Sequence, residues 1–135
     1  DDSNLIPLNT THVPEMVALA KLTKPGPFDN RTIEFGHYYG IFENDRLAAM
    51  TGQRLHPGNY SEVSAVCTHP DFSGKGYARL LLNFQVQLIL DQGQTPFLHV
   101  RADNERAIDL YNKNGFKVNG SMQFYFLKNN VREKS

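Results

Sequence analysis

The sequence predicts a mixed α/β fold, a sandwich of helices on one largely antiparallel sheet. Three observations lead there. The first half carries apolar-rich runs joined by tight-turn residues, the pattern of antiparallel hairpins. From Gly74 to Asp91 the apolar spacing changes from alternation to three or four residues, which is helical. Beyond Gly93, strand-like and helix-like segments alternate as far as Leu127.

Taken in order, Leu5-Ile6-Pro7-Leu8 is a short apolar stretch. Thr10-Thr11 follows, placed to cap a helix carrying Val13, Met16, Val17 and Leu19. Lys24-Pro25-Gly26-Pro27 forbids helix, so Phe28 to Thr32 reads as a loop whose length suits a substrate-facing connection. His37 to Phe42 and Arg46 to Leu55, joined by Glu43-Asn44-Asp45, read as a hairpin. After the turn His56-Pro57-Gly58-Asn59, a third strand is expected from Tyr60 to Thr68. Tyr77, Leu80, Leu81, Phe84 and Leu88 mark the buried face of the long helix, and Gly93 stands where a left-handed terminator belongs. Pro96 to Val100 is a buried-looking strand, and Asp103 caps a second helix that runs through Tyr111 to a stop at Asn114-Gly115. Phe116 to Val118 and Met122 to Leu127 form a closing pair of strands. Neither a repeat nor an internal boundary interrupts this series. Residues 1–135 therefore read as one domain, which can be the C-terminal part of a longer protein.

Composition narrows the function. Fourteen basic residues balance 14 acidic ones, so there is no net field to hold nucleic acid or an anionic membrane, and neither is an expected partner. A bound anion must be gripped locally. The one cysteine, Cys67, lies in an apolar run without metal-ligand spacing, which fits a reducing compartment and a structural role better than an acyl-carrying nucleophile. No apolar run reaches the roughly 20 residues that span a bilayer, and Asp1-Asp2-Ser3-Asn4 has none of the character of a signal peptide. The expectation is a cytoplasmic protein without a membrane segment or a metal.

The sharpest local feature is Ser73-Gly74-Lys75-Gly76-Tyr77-Ala78-Arg79, which follows a strand and opens the long helix. Glycines are poor residues for a helix interior, and here they make sense if backbone amides at the helix start must turn toward a bulky anion, which glycine lets come close. Two familiar phosphate motifs fail by position. A P-loop would need Gly at position 69 and Ser or Thr at 76, where His69 and Gly76 stand. A dinucleotide fingerprint from Gly74 would need a small residue where Arg79 stands.

What remains resembles the GNAT superfamily signature, Gln/Arg-x-x-Gly-x-Gly/Ala, laid over Ser73, Gly76 and Ala78, with Ser73 departing from the usual Gln or Arg. Val66-Cys67-Thr68-His69-Pro70-Asp71 upstream extends the likeness. So does Arg101-Ala102-Asp103-Asn104 downstream, with Ala107, Leu110-Tyr111 and Gly115-Phe116. Glu62 to Phe116 is mostly covered, and the C-terminal half is similar to the glycine N-acyltransferase-like branch. The resemblance implies an acetyl-CoA-dependent N-acetyltransferase whose central parallel strands splay around the donor, with helices on both faces of the sheet.

By the same resemblance, Val66, Cys67 and Thr68 pair with the pantetheine arm. The amides of Gly74, Lys75, Gly76, Tyr77, Ala78 and Arg79 cover the pyrophosphate, with the Lys75 and Arg79 side chains available to outer phosphates. Asn104 and Ala107 touch the cofactor arm, and Tyr111 stands near the thioester sulfur as the acid for the leaving thiolate. Two residues or a water chain can relieve the amine of its proton: Glu62, the first choice, whose pKa partial burial would raise, and His99 on the adjacent strand. The acceptor is a primary amine, whether an amino acid, another small amine or a peptide N-terminus, met by Tyr38, Tyr39, Arg54 and the loop from Pro25 to Thr32. The competing expectation is a silent acyl-CoA-binding module, a sensor or scaffold on the same fold. Closing strands such as Met122 to Leu127 offer an edge for a homodimer.

Overall fold

The computed structural model describes residues 5–23, 37–64, 66–100, 102–118 and 123–126. The Pro25 to Thr32 loop and Arg101 lie outside them. Nine strands are described in chain order: β1 Leu5–Pro7, β2 Tyr39–Glu43, β3 Arg46–Thr51, β4 Gln53–His56, β5 Tyr60–Val63, β6 Cys67–Thr68, β7 Thr95–His99, β8 Phe116–Val118 and β9 Gln123–Phe126. Three α-helices accompany them: α1 Val13–Thr23, α2 Tyr77–Asp91 and α3 Glu105–Lys113.

The β2–β3 hairpin turns on two residues, Asn44 and Asp45, with φ of 55° and 64°. Both central residues are left-handed, as a tight turn matched to strand twist requires, and Asn and Asp tolerate that region better than most side chains. Capping differs from the sequence expectation at α1 and is narrowed at α3. Asn9 Oδ1 accepts from the Thr11 amide at 2.9 Å and starts a 3-10 turn, Thr10–His12, that feeds α1. Of the pair Asp103-Asn104, either of which could cap α3, it is Asn104 that does so, its Oδ1 accepting from the Ala107 amide at 3.2 Å. In each case the neighbouring residue had equivalent chemistry, and the backbone angle at the helix entry decides between them.

The mixed, mostly antiparallel sheet is present, and it is hydrogen-bonded as two ladders, β1-β2-β3-β6 and β4-β5-β7-β9-β8. The run expected as one strand from Arg46 to Leu55 changes ladder at Gly52. The run expected from Tyr60 to Thr68 does so between Val63 and Cys67. At Gly52 the reason is steric: an added Cβ would meet the Tyr38 ring at 2.7 Å, so the chain crosses beneath that ring with no side chain. The polar groups freed at the crossing are collected by buried partners. Gly52 N donates to Ser64 Oγ at 2.8 Å and Thr51 Oγ1 to the Ser64 carbonyl at 2.9 Å. Gln85, fully buried in α2, donates through Nε2 to the carbonyls of His37 (3.0 Å) and Thr51 (3.1 Å), while its Oε1 accepts from Gln53 Nε2 (3.1 Å). These bonds avoid the penalty of about 1–3 kcal/mol for each buried polar group left unpaired.

The helices cover opposite faces. α1 buries Met16, Leu19 and Ala20 with Tyr38, Leu47, Met50 and Cys67. On the other face, Leu81 of α2 packs on Ile41 and Ala49 of the first ladder, while Leu82, Val86 and Ile89 pack on Val63 and Leu98 of the second. α3 adds Tyr111 to that second cluster, beside Phe116. Full burial of a leucine or isoleucine contributes about 1.5–3 kcal/mol, so α2 anchors both ladders strongly. β9 lies between β7 and β8, so the edge expected of Met122 to Leu127 is already paired, and the outer strands of that ladder are β4 and β8.

Candidate active site

β5 and β7 are parallel, in register from Tyr60↔Thr95 to Glu62↔Phe97. Beyond Glu62 they part. β6 pairs with β3 through Met50↔Cys67, and β7 continues against β9 to His99↔Gln123. The result is a cleft that opens where the parallel pairing stops, with Val66 and Cys67 on one wall and the end of β7 on the other.

At the head of the cleft, His69 caps a 3-10 turn, Pro70–Phe72, which leads into the glycine turn. Gly74 and Gly76 have φ of 81° and 80°, and an added Cβ at either would meet nothing within 4 Å. Their need for glycine is thus a matter of backbone angle, and the space above them is open. Gly76 is the N-cap of α2 and makes no side-chain cap bond, so the amides of the first helical turn face outward at the positive end of the helix dipole. An anion could approach these amides without meeting a side chain at either glycine.

The flanking side chains are arranged differently from expectation. Lys75 Nζ is 2.6 Å from Glu43 Oε2, and Tyr77 OH donates to Glu43 Oε1 at 2.7 Å. Lys75 is therefore tied back to β2 instead of standing ready for an outer phosphate. The hydrogen bond from Lys75, then that from Tyr77, hold the Glu43 carboxyl below its ordinary range. Ser73 Oγ donates to the Pro70 carbonyl at 3.0 Å and closes the preceding turn. Arg79 is exposed, and Ala78 is half-buried.

Tyr111 lies beneath the cleft, 4% exposed, and its hydroxyl is hydrogen-bonded with the Val66 backbone. Burial pushes its pKa up to about 12 against the partial relief of that bond. Cys67 is buried at the same wall; desolvation pushes its thiol up, with Thr23 as hydrogen-bond partner, so it stays a thiol. Thr68 pairs with Ala49 in the first ladder. Asn104 and Ala107 sit at the first turn of α3, the former exposed and the latter against the Tyr111 cluster.

On the sheet face away from α2, three polar side chains meet. Glu62 Oε1 is 2.8 Å from His56 Nε2, and Glu62 Oε2 is 2.9 Å from His99 Nδ1. The two candidates for the base are thus one cluster. Burial pulls Glu62 upward, but the bonds from His99 and His56 outweigh it and leave the carboxyl lowered, opposite to the rise expected from its sequence position. The Phe97 ring lies edge-on to both imidazoles, at 5.1 Å from His56 and 5.6 Å from His99.

His56 was missed because His56-Pro57-Gly58-Asn59 reads as a turn. The usable signal is the β4–β5 register: Arg54↔Glu62 and His56↔Tyr60 put Arg54, His56 and Glu62 on one face by alternation. Arg54 is exposed there, as an acceptor contact requires. Tyr38 departs from its expected place, 6% exposed in the α1 core with its hydroxyl bonded to Ser64 and its pKa raised mainly by burial. Tyr39, next along the strand, points to the other face and packs edge-on against Phe84 of α2 at 4.7 Å. Among the described residues, no group of three or more His, Cys, Asp or Glu is arranged to hold a metal, and no helix is long and apolar enough to cross a membrane.

Known proteins share this fold. Residues 38–126 match the family model described as FR47-like protein. N-alpha-acetyltransferase RimI of Mycobacterium tuberculosis (strain ATCC 25618 / H37Rv) is 32% identical over 94 residues, covering 67% of this chain and 58% of the relative. A crystal structure assigned to the GNAT family of acetyltransferases, from Novosphingobium aromaticivorans DSM 12444, superposes with a TM-score of 0.85 at 41% identity, over 93% of this chain and 56% of that one. PaiA N-acetyltransferase of Thermoplasma acidophilum, in complex with coenzyme A, shares the fold with a TM-score of 0.74 at 17% identity, over 90% and 94% of the two chains. The chain spans a little over half the length of the first two of these proteins.

Proposed function

The chain belongs to the FR47-like family of the GNAT superfamily, and from that premise we propose that it is an N-acetyltransferase, passing the acetyl group of acetyl-CoA to a primary amine in a ternary complex. The observation that carries this reading is the cleft that opens where β5–β7 pairing stops, with the glycine turn at its head and Tyr111 beneath it. The amides of Gly74 to Arg79 would hold the pyrophosphate, and the wall at Val66 and Cys67 would border the pantetheine arm. Asn104 and Ala107 would border that arm from α3. Acetyl-CoA supplies an activated acyl thioester. Positioning an amine against it is worth several orders of magnitude in rate, and proton transfer adds about 10²–10⁴-fold.

Tyr111 acts on the leaving sulfur. With its own pKa near 12, against about 8.5 for an ordinary thiol, it is placed to donate a hydrogen bond to the developing thiolate more readily than to surrender its proton. The proton that finally resides on the thiol then comes from the attacking amine or solvent. Arg54, on the Glu62 face, borders the acceptor.

Similarity to RimI, an N-alpha-acetyltransferase, supports an α-amine as acceptor, with a free amino acid as the alternative. The competing reading, an acyl-CoA-binding module without turnover, is favoured by one observation: Ser73 and Lys75 are both engaged within the protein. Calorimetric titration with acetyl-CoA tests both readings, and absence of heat at millimolar ligand removes both. Thiol release with a panel of peptides, amino acids and polyamines separates them.

A further inference from the structure

Resting on the acetyl-transfer reading for the reaction, we infer that Gln85 is a positioning residue for the acyl donor. It fixes where the sheet divides, and with that the length of acyl chain the cleft admits. Among the described residues, the buried polar side chains apart from tyrosine and cysteine are Thr51, Gln53, Ser61 and Gln85, and all four belong to one connected set. Gln85 Nε2 donates to the carbonyls of His37 at 3.0 Å and Thr51 at 3.1 Å, and Gln85 Oε1 accepts from Gln53 Nε2 at 3.1 Å. Gln53 Oε1 in turn accepts from Ser61 Oγ at 3.1 Å, across the β4–β5 ladder. An apolar side chain would serve the packing of α2 as well, so packing alone does not account for a buried amide here.

The residue type follows from the partners. Two carbonyls need two N–H donors and the Gln53 amide needs an acceptor, which glutamine alone supplies among side chains of this length. A glutamate would turn acceptor oxygens toward both carbonyls.

Its place in the fold gives the amide a role. Thr51 ends β3 and Gln53 begins β4, so Gln85 holds the chain on both sides of Gly52, where it passes from one ladder to the other. That crossing pins Ser64. Gly52 N donates to Ser64 Oγ at 2.8 Å, Ser64 N to the Gly52 carbonyl at 2.8 Å, and Thr51 Oγ1 to the Ser64 carbonyl at 2.9 Å. Ser64 follows the last residue of β5 and stands two residues before Val66, the wall residue whose backbone meets the Tyr111 hydroxyl. A run of hydrogen bonds therefore leads from α2 through the crossing to the acyl end of the cleft. Without the amide, the His37 and Thr51 carbonyls and Gln53 Nε2 lose a partner in the interior, and regaining one requires water to enter between the ladders. The ladders then part further at Gly52, the wall at Val66 moves away from β7, and added methylenes on the acyl group find room.

The test measures thiol release from acetyl-, propionyl- and butyryl-CoA for the unmodified protein, Gln85→Leu and Thr51→Val, with whichever peptide, amino acid or polyamine the unmodified protein uses best. Gln85→Leu should raise the butyryl-to-acetyl ratio of kcat/KM about tenfold, the lower end of what one methylene is worth in a fitted pocket. The ratio compares two donors on one sample, so any loss of folded protein cancels and a merely structural role leaves it unchanged. Thr51→Val keeps the shape and removes the bond to the Ser64 carbonyl; it should shift the ratio in the same direction by less. Hydrogen exchange followed amide by amide should be faster at Gly52 and Ser64 in Gln85→Leu than in the unmodified protein, a readout independent of activity. An unchanged ratio in Gln85→Leu, or unchanged exchange at Gly52 and Ser64, overturns the role of Gln85. Should that variant fail to fold, an unchanged ratio in Thr51→Val overturns it instead. Unmodified protein that releases no thiol from any donor with any amine overturns acetyl transfer itself, and the role of Gln85 with it.

Discussion

Tyr111 and Val66 are joined by a hydrogen bond between the phenol and the backbone of the wall where the sheet opens. Its position links α3 to the acyl end of the cleft. Tyr111→Phe should lower turnover at least tenfold while acetyl-CoA affinity changes less than twofold, and unchanged turnover would remove the tyrosine from the mechanism. The measurement is thiol release beside calorimetric titration.

The same residue predicts alkaline behaviour. Its folded pKa of about 12 lies above the ordinary 10.0, so its contribution is intact below pH 10 and is lost as pH rises toward 12. The loss should be on the order of 3 kcal/mol. Tyr111→Phe should flatten the fall in denaturation midpoint between pH 10 and 12, with buried Tyr38 responsible for part of what remains.

Glu62 works in the opposite direction. Its folded pKa is lowered, so the stability it confers is present above the unfolded value near 4.5 and fades as pH falls through the folded value. Glu62→Gln should be less sensitive to acid in this window by thermal melts, and an identical acid profile would contradict the His56 and His99 bonds.

Gly76→Ala should keep the fold and weaken the donor. Nothing stands within 4 Å of the added Cβ, so the cost in stability should be confined to the left-handed backbone, about 1 kcal/mol. The methyl group would enter the space assigned to the pyrophosphate, and affinity for acetyl-CoA should fall by more than tenfold in calorimetry.

Glu43→Gln should do the reverse. It removes a negative charge beside the cradle and releases Lys75, which lies 2.6 Å away. Acetyl-CoA affinity should rise about two- to fivefold at low salt, the range of a screened surface pair, with the gain shrinking as salt is added. No gain at low ionic strength would mean that Lys75 stays clear of the phosphates.

Much of the fold was legible because periodicity marks it directly. The long helix, the Asn44-Asp45 hairpin and the closing strands follow from the spacing of Leu80, Leu81, Phe84 and Leu88 and from turn chemistry. The ladder changes were not legible. Arg46 to Leu55 and Tyr60 to Thr68 each read as one apolar run, and what divides them is long-range: the Tyr38 ring over Gly52 and the reach of Gln85 to His37 and Thr51. Glu62 and His99 are named singly by the family resemblance, on two separate strands. Their direct contact, and that of Glu62 with His56, depends on strand register, which no local pattern states. The tethering of Lys75 by Glu43 is hidden for the same reason, since 32 residues separate the pair.

α2 begins at the glycine turn, and its body rests on both ladders, with Leu81 against Ala49 and Leu82 against Val63. It is the keel of the molecule. A force on Gly76 would be shared at once by the two halves of the sheet, whose separation sets the width of the cleft. The anion grip and the spacing between the cleft walls are therefore mechanically one quantity, and a substitution deep in the keel, at Leu82 or Ile89, should be felt at the mouth.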